Sequence, residues 1–262
     1  MFRRWWFVTW LSERAPAQPG GGGRPHCGAD REPRRAGRGQ RELVLREWEV
    51  LRERLARIAA DRVTAAGELF RAAELTLAAD ESAAHRAYRQ ALEAYEAAGR
   101  LLDQSAADPH TDLPDLAAAV VLAEQAVEHL AAAHALHAGV RPEPAAVRCF
   151  YNPLHGPASP AEPARGTGKR RQRPTRTARE AAADRRPACP ACRRAIIAGQ
   201  TPDVLPALLP ARATDRRTGP LLVPYFTVPQ QWSPWSATAC GAYDPDTPSL
   251  VLRGAHRRHP PH

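Results

Sequence analysis

The residues of this chain best equipped for chemistry are three thiols and one imidazole in its second half. Cys149 opens the phrase Cys149-Phe150-Tyr151-Asn152-Pro153-Leu154-His155-Gly156, and Cys189-Pro190-Ala191-Cys192 follows after a polar insert. Two residues between Cys189 and Cys192 let both sulfurs of a tight knuckle face one point. Asn152-Pro153 favours a turn that brings His155 back towards Cys149. Three thiolates and a neutral imidazole are a donor set that tetrahedral Zn²⁺ takes. The sequence therefore nominates Cys149, His155, Cys189 and Cys192 as metal ligands, with zinc as the ion. Three thiolates and Zn²⁺ leave a net charge of about −1. Arg148, Arg185, Arg186, Arg193 and Arg194 flank the ligands, where they could offset that charge and donate to sulfur.

Cysteine usage fits this reading. The chain has five cysteines, an odd number, which favours metal or redox use over a disulfide framework. Cys240 is a spare thiol that could replace one of the four. Cys27, with His26, lies in a Gly- and Pro-rich stretch and is left out of the site. His134 and His137 share a helix face, but no acid or thiol converges on them in sequence, and they read as solvated. His256, His259 and His262 sit among Arg and Pro in the tail and receive no role.

Competing chemistries use the same residues. A thiol–disulfide oxidoreductase would employ Cys189 and Cys192, but it wants the CxxC at the end of a buried strand. Ala183-Asp184-Arg185-Arg186-Pro187-Ala188 is a poor strand of that kind. Cys149 and His155 as nucleophile and base lack an orienting acid and an oxyanion phrase. The site thus reads as structural, non-enzymatic and without a small-molecule substrate.

The elements that must position these residues are helical upstream. From Gln40 to Ala79, Val44, Trp48, Leu51, Leu55 and Ile58 step by three and four, and Arg62, Ala65 and Leu69 continue the seam of a coiled-coil or bundle helix. A second helix fits 81–104, with Tyr88, Leu92, Tyr95 and Leu102 on one stripe. A third runs from Asp112 as N-cap, through Pro114 in the first turn, to about Ala138 before Gly139. Its stripe is Leu116, Val120, Ala123, Val127 and Leu130. Downstream, Arg193–Ala198 suggests a short helix stopped by Gly199, and 221–228 an edge strand limited by Pro224 and Pro229. Trp232, Trp235 and Tyr243 are expected to cover the metal knuckle.

The expected fold is mainly α: an antiparallel helical bundle or hairpin followed by a small zinc-pinned α+β module, with long disordered segments. Its parts are a basic arm over 1–40, a helical stalk over 41–140, a zinc module over 145–252 with a disordered insert at 157–187, and a disordered tail over 253–262. Few large apolar residues and many prolines fall in the module, so a metal would supply stability that its core lacks.

Charge separates the same parts. The net charge is +9, yet residues 42–155 hold eleven arginines against eighteen acids, while 1–41 hold nine against three. Basic residues thus lie in arms and insert, which argues against a basic folded face for nucleic acid. Those Arg-rich segments could still make weak, salt-sensitive contact with nucleic acid or an anionic membrane, as a third reading beside a protein partner. Trp5-Trp6-Phe7-Val8-Thr9-Trp10-Leu11 is too short an apolar run to span a membrane. The expected location is cytoplasmic, the alternative being membrane association through this aromatic stretch.

The phrase at 149–156, the CxxC at 189–192 and Val223-Pro224-Tyr225-Phe226 with a later Trp together resemble an uncharacterised family of actinobacterial proteins. That family is marked by a C-F-[FY]-N-P-x-H-G phrase, a CxxC and a closing V-P-Y strand. The resemblance covers 81 to about 243 and implies the same four ligands. It implies no activity.

Overall fold

The computed structural model describes residues 33–78, 81–108, 111–159, 186–209 and 221–256, with side chains from 42 onward. The arm over 1–32, the insert over 160–185 with its expected helix near 177–184, Cys27, Arg185 and the last six residues lie outside the described residues.

The molecule is mainly helical, with three long helices followed by a smaller region of short helices and a two-stranded sheet. The first helix, α1, spans Pro33–Ala72. It starts upstream of Gln40, at Pro33, which is tolerated in a first helical turn, and runs on through Gly37 and Gly39 despite their low helix propensity. Its 40 residues make it ~60 Å long at ~1.5 Å per residue. Helix α2 spans Ser82–Ala107 and α3 spans Leu113–His137.

Three contacts give the helix directions. Arg52 on α1 donates to the carbonyls of Ser105 and Asp108 at the C-terminal end of α2, at 2.7 and 3.3 Å. At the other end, Phe70 meets Tyr88 and Tyr95 of early α2, so α1 and α2 are antiparallel. Glu81, just before α2, pairs with His137 at the end of α3, at 2.8 Å. The order is up, down, up, with α1 and α3 parallel: Trp48 reaches Asp112, and Arg62 reaches Glu124.

The buried faces depart from the seams read in the sequence. On α1 the buried positions are Trp48, Leu55, Ala59, Ala66 and Gly67, while Leu69 is exposed. A straight helix drifts against a strict three-four seam, so the buried line slips by one residue. On α2 the buried face is alanine: Ala84, Ala87, Ala91, Ala94, Ala97 and Ala98, with Leu101. Tyr88, Leu92, Tyr95 and Leu102 lie at its margin. Alanine lets the α2 and α3 backbones approach closely, and the larger residues then fit only at the edge of the contact.

Helix α3 is the centre. Leu113 to Ala123 are all buried except Asp115. By length and composition α3 could cross a membrane, but most of its apolar window is buried inside the protein. The covering residues come from α1, α2 and the C-terminal region, since Leu205, Ala207, Tyr225, Trp235, Cys240 and Val251 join the same apolar cluster. Stalk and module thus share one core.

The strands are β1, Pro206–Leu209, and β2, Leu221–Pro224, paired antiparallel with Pro206 opposite Pro224. Strand β2 is shorter than the expected 221–228, because the chain turns into a 3₁₀ segment at Tyr225–Thr227. Strand β1 was not foreseen: flanking prolines and a lack of β-branched residues hide it. Among the described residues three short helices complete the region: α4, Pro190–Ile197; α5, Trp235–Thr238; and α6, Thr247–Leu252. Helix α6 lies on α2, where Arg100 donates to the Leu252 carbonyl at 2.7 Å. His256, placed by sequence in a disordered tail, is instead buried, with Nε2 2.9 Å from Gln104 Oε1.

Candidate metal centre

The site is built by two loops and the start of α4. After Asn152 the chain turns as its sequence requires: the Asn152 side chain accepts from Leu154 N–H at 3.1 Å, and its carbonyl accepts from His155 N–H at 3.0 Å. This turn folds His155 back over Cys149. On the other side Cys189 is the N-cap of α4, its sulfur accepting from Cys192 N–H at 3.4 Å, with Pro190 in the first turn. Gly199 closes the helix at a positive φ of 67°. The CxxC thus straddles a helix start, with the Cys192 N–H turned to the Cys189 sulfur.

Backbone hydrogen bonds draw the pieces together. Phe150 N–H donates to Pro187 O at 2.8 Å, Leu205 N–H to Tyr151 O at 3.0 Å, and Tyr225 N–H to Leu205 O at 3.0 Å. Two phenols bracket Cys149: Tyr243 donates to the carbonyl of Arg148, and Tyr225 to that of Phe150. Arg148 itself is buried and pairs with Glu124 and Glu128 on α3, which fastens the loop to the bundle.

The four residues nominated from the sequence come together. One ligand atom from each of Cys149, His155, Cys189 and Cys192 lies within 4.8 Å of the others, and among the described residues this is the one cluster able to hold a metal ion. His155 Nδ1 is 3.4 Å from both the Cys189 and Cys192 sulfurs. Zinc with bonds of about 2.3 Å to sulfur and about 2.0 Å to nitrogen sets a tetrahedral S···N edge of about 3.5 Å. These two S···N edges therefore already stand at the length such an ion requires.

Electrostatics point the same way. Hydrogen bonds from Cys149 and Cys192 push the Cys189 thiol well below its ordinary range, while Cys149 and Cys189 push the Cys192 thiol far up. Packed sulfurs resist sharing more than one negative charge unless a cation joins them. Burial works to lower the His155 pKa, but the bond to Asp203 and the Cys149 and Cys189 thiols outweigh it and push it up to about 11. An imidazole so placed faces groups that attract positive charge, a role a metal ion can take over.

Several expectations are corrected here. Cys240 does not join the cluster; it is fully buried in the core around α3, where burial raises its pKa. Trp235 does not cover the knuckle but donates to Asp115 on α3 at 2.7 Å. The cover comes from Tyr151, Ile196, Val204 and Phe226, and Phe226 also packs on the main core. Tyr243 reaches the loop, stacked on Phe150. Arg148 is spent on α3 carboxylates, Arg186 lies 4.1 Å over the Phe150 ring, and Arg193 donates to Ser159 O at 2.9 Å.

Asp203 escaped sequence reasoning. Its carboxylate is 3.3 Å from His155 Nε2, and its carbonyl accepts from Cys192 at 3.6 Å. A lone acid eleven residues beyond the CxxC carries no motif, and it comes near through long-range contacts such as the Tyr151–Leu205 backbone bond. A groove of about 580 Å³ opens beside the site, lined by Phe150, Arg186, Phe226 and Tyr243 among others, but none of the four ligands lines it.

No protein-family model, curated protein or solved structure matches the chain. The class defined by fold and site is therefore a mainly helical protein with a Cys₃His cluster that could hold a metal ion.

Proposed function

We propose that the cluster binds one Zn²⁺ and that the ion is structural, making this a non-enzymatic protein in which a zinc-clamped module is seated on a helical scaffold for protein interaction. The observation that carries this reading is the pair of 3.4 Å edges from His155 Nδ1 to the two CxxC sulfurs. Burial of all three thiols and their absence from the neighbouring groove support a closed site, whereas catalytic zinc keeps an open position. For an interaction role, exposed Leu43 and Val50 on the long α1 offer apolar contact to a protein partner. Membership of the actinobacterial family that the 149–156 phrase resembles, and a cytoplasmic location, belong to the same proposal.

Metal analysis of the purified full chain tests it. One zinc per chain is expected, lost in Cys149→Ser and Cys189→Ser, with a lower melting temperature on chelation. A folded, metal-free chain whose melting is unchanged by chelator and by added zinc would sink the reading.

A thiol oxidoreductase is the second reading, favoured by the CxxC at a helix start and the lowered Cys189 pKa. Both sulfurs are buried, and the adjoining sheet has two short strands. An insulin-reduction assay separates the two; no turnover is expected.

A further inference from the structure

The ligand shell is lopsided. Cys149, Cys189 and Cys192 are 0, 5 and 1 % exposed, whereas the side chains of His155 and Asp203 are 18 and 42 % exposed. Three sulfurs thus form a closed floor, and the imidazole with its carboxylate forms the side that meets solvent. An ion entering or leaving must pass where the wall is thinnest.

His155 can offer either ring nitrogen to a metal, and the hydrogen bond made by the other decides which. Here Nδ1 faces the sulfurs and Nε2 faces Asp203 Oδ2 at 3.3 Å. A carboxylate accepting from Nε2–H fixes the tautomer whose Nδ1 lone pair is free, and it raises the basicity of that nitrogen. The Asp203 backbone is held in turn by Leu205, two residues on, whose N–H donates to Tyr151 O at 3.0 Å, so the acid moves with the loop that carries Cys149.

We propose that Asp203 is a positioning residue for the metal site: it delivers His155 Nδ1 to the ion and governs how fast the ion escapes through the solvent-facing His155–Asp203 edge. This inference rests on the metal-binding reading above. Loss of such a partner typically weakens metal affinity 10- to 100-fold.

The test uses the full chain loaded with Co²⁺ or Zn²⁺, comparing wild type, Asp203→Ala and Asp203→Asn. Measurements are Co²⁺ affinity, the d–d bands of tetrahedral Co²⁺, and the rate of zinc transfer to a chromogenic chelator. Asp203→Ala should bind about 10- to 100-fold more weakly and release zinc correspondingly faster, with the sulfur-to-cobalt charge-transfer band retained. Asp203→Asn, which keeps an accepting oxygen, should lie nearer wild type. Two results overturn the proposal: affinity and release of Asp203→Ala within twofold of wild type, or equal impairment of both variants together with loss of helical circular dichroism. If wild type binds neither ion, the parent reading fails instead, and the two failures are told apart by the wild-type titration alone.

Discussion

Cys149 is held by its neighbours as much as by its own side chain. Tyr225 and Tyr243 grip the carbonyls on either side of it, from positions 75 and 95 residues away. Tyr225→Phe leaves a buried carbonyl without its donor, at a cost of about 1–3 kcal/mol. Urea denaturation of the zinc-loaded chain should show the midpoint fall accordingly, and Tyr243→Phe, at a half-buried site, should cost less. A second residue-scale prediction concerns Asp112, the N-cap of α3, whose Oδ1 accepts from Leu113 N–H, Leu208 N–H and Trp48 Nε1–H. Burial pushes its carboxyl up to about 7, with Asp115 adding and the N–H donors opposing. The folded state then holds a proton that the unfolded chain has given up, so this group's contribution falls as pH rises from about 4 to about 7 and is flat above. Asp112→Asn keeps the accepting oxygen and should remove that slope, raising stability at pH 8 relative to wild type. A melting temperature that tracks wild type across pH 4–8 would count against it.

Elements show where the chain was legible and where it was not. The Asp112 cap, Pro114 in the first turn and the stop at Gly139 were readable because caps and breakers act locally. The packing face of α2 was not, because volume misleads: the alanines carry the close contact and the tyrosines flank it. Ala91→Leu should therefore cost about 1–3 kcal/mol by overpacking, measured by thermal melting. The convergence of Cys149, His155, Cys189 and Cys192 was legible because donor type and CxxC spacing are chemical signals. Asp203, β1 and the two phenols were not, since each depends on which distant segments meet. At the end of α5 the chain runs through Ala239, Cys240 and Gly241, all at positive φ. A Cβ built on Gly241 would stand 2.6 Å from Thr247 Cγ2, and the φ of 89° is unfavourable to any side chain. Gly241→Ala should destabilise the α5–α6 region, visible as faster amide exchange there than in α2.

Across the described residues, the helices and the region bearing the Cys/His cluster lean on each other. Structural zinc contributes roughly 10–16 kcal/mol in small peptides, against the ~5–15 kcal/mol that holds an ordinary domain together. Because Leu205, Tyr225, Trp235 and Val251 sit in the core around α3, losing the ion should loosen more than the knuckle. Chelation is expected to lower the melting of the helices themselves, followed by circular dichroism at 222 nm. A helical transition indifferent to chelator would show that the two parts melt separately. The central place of α3 also bears on synthesis. A ribosome releases this apolar rod well before residues 205–251, which complete its cover, have been made. The emerging chain carries a greasy helix in water for the time those later codons take. Chains cut short after Gly139 should therefore clump or be seized by chaperones, while full-length chains given zinc as they are made should stay in solution.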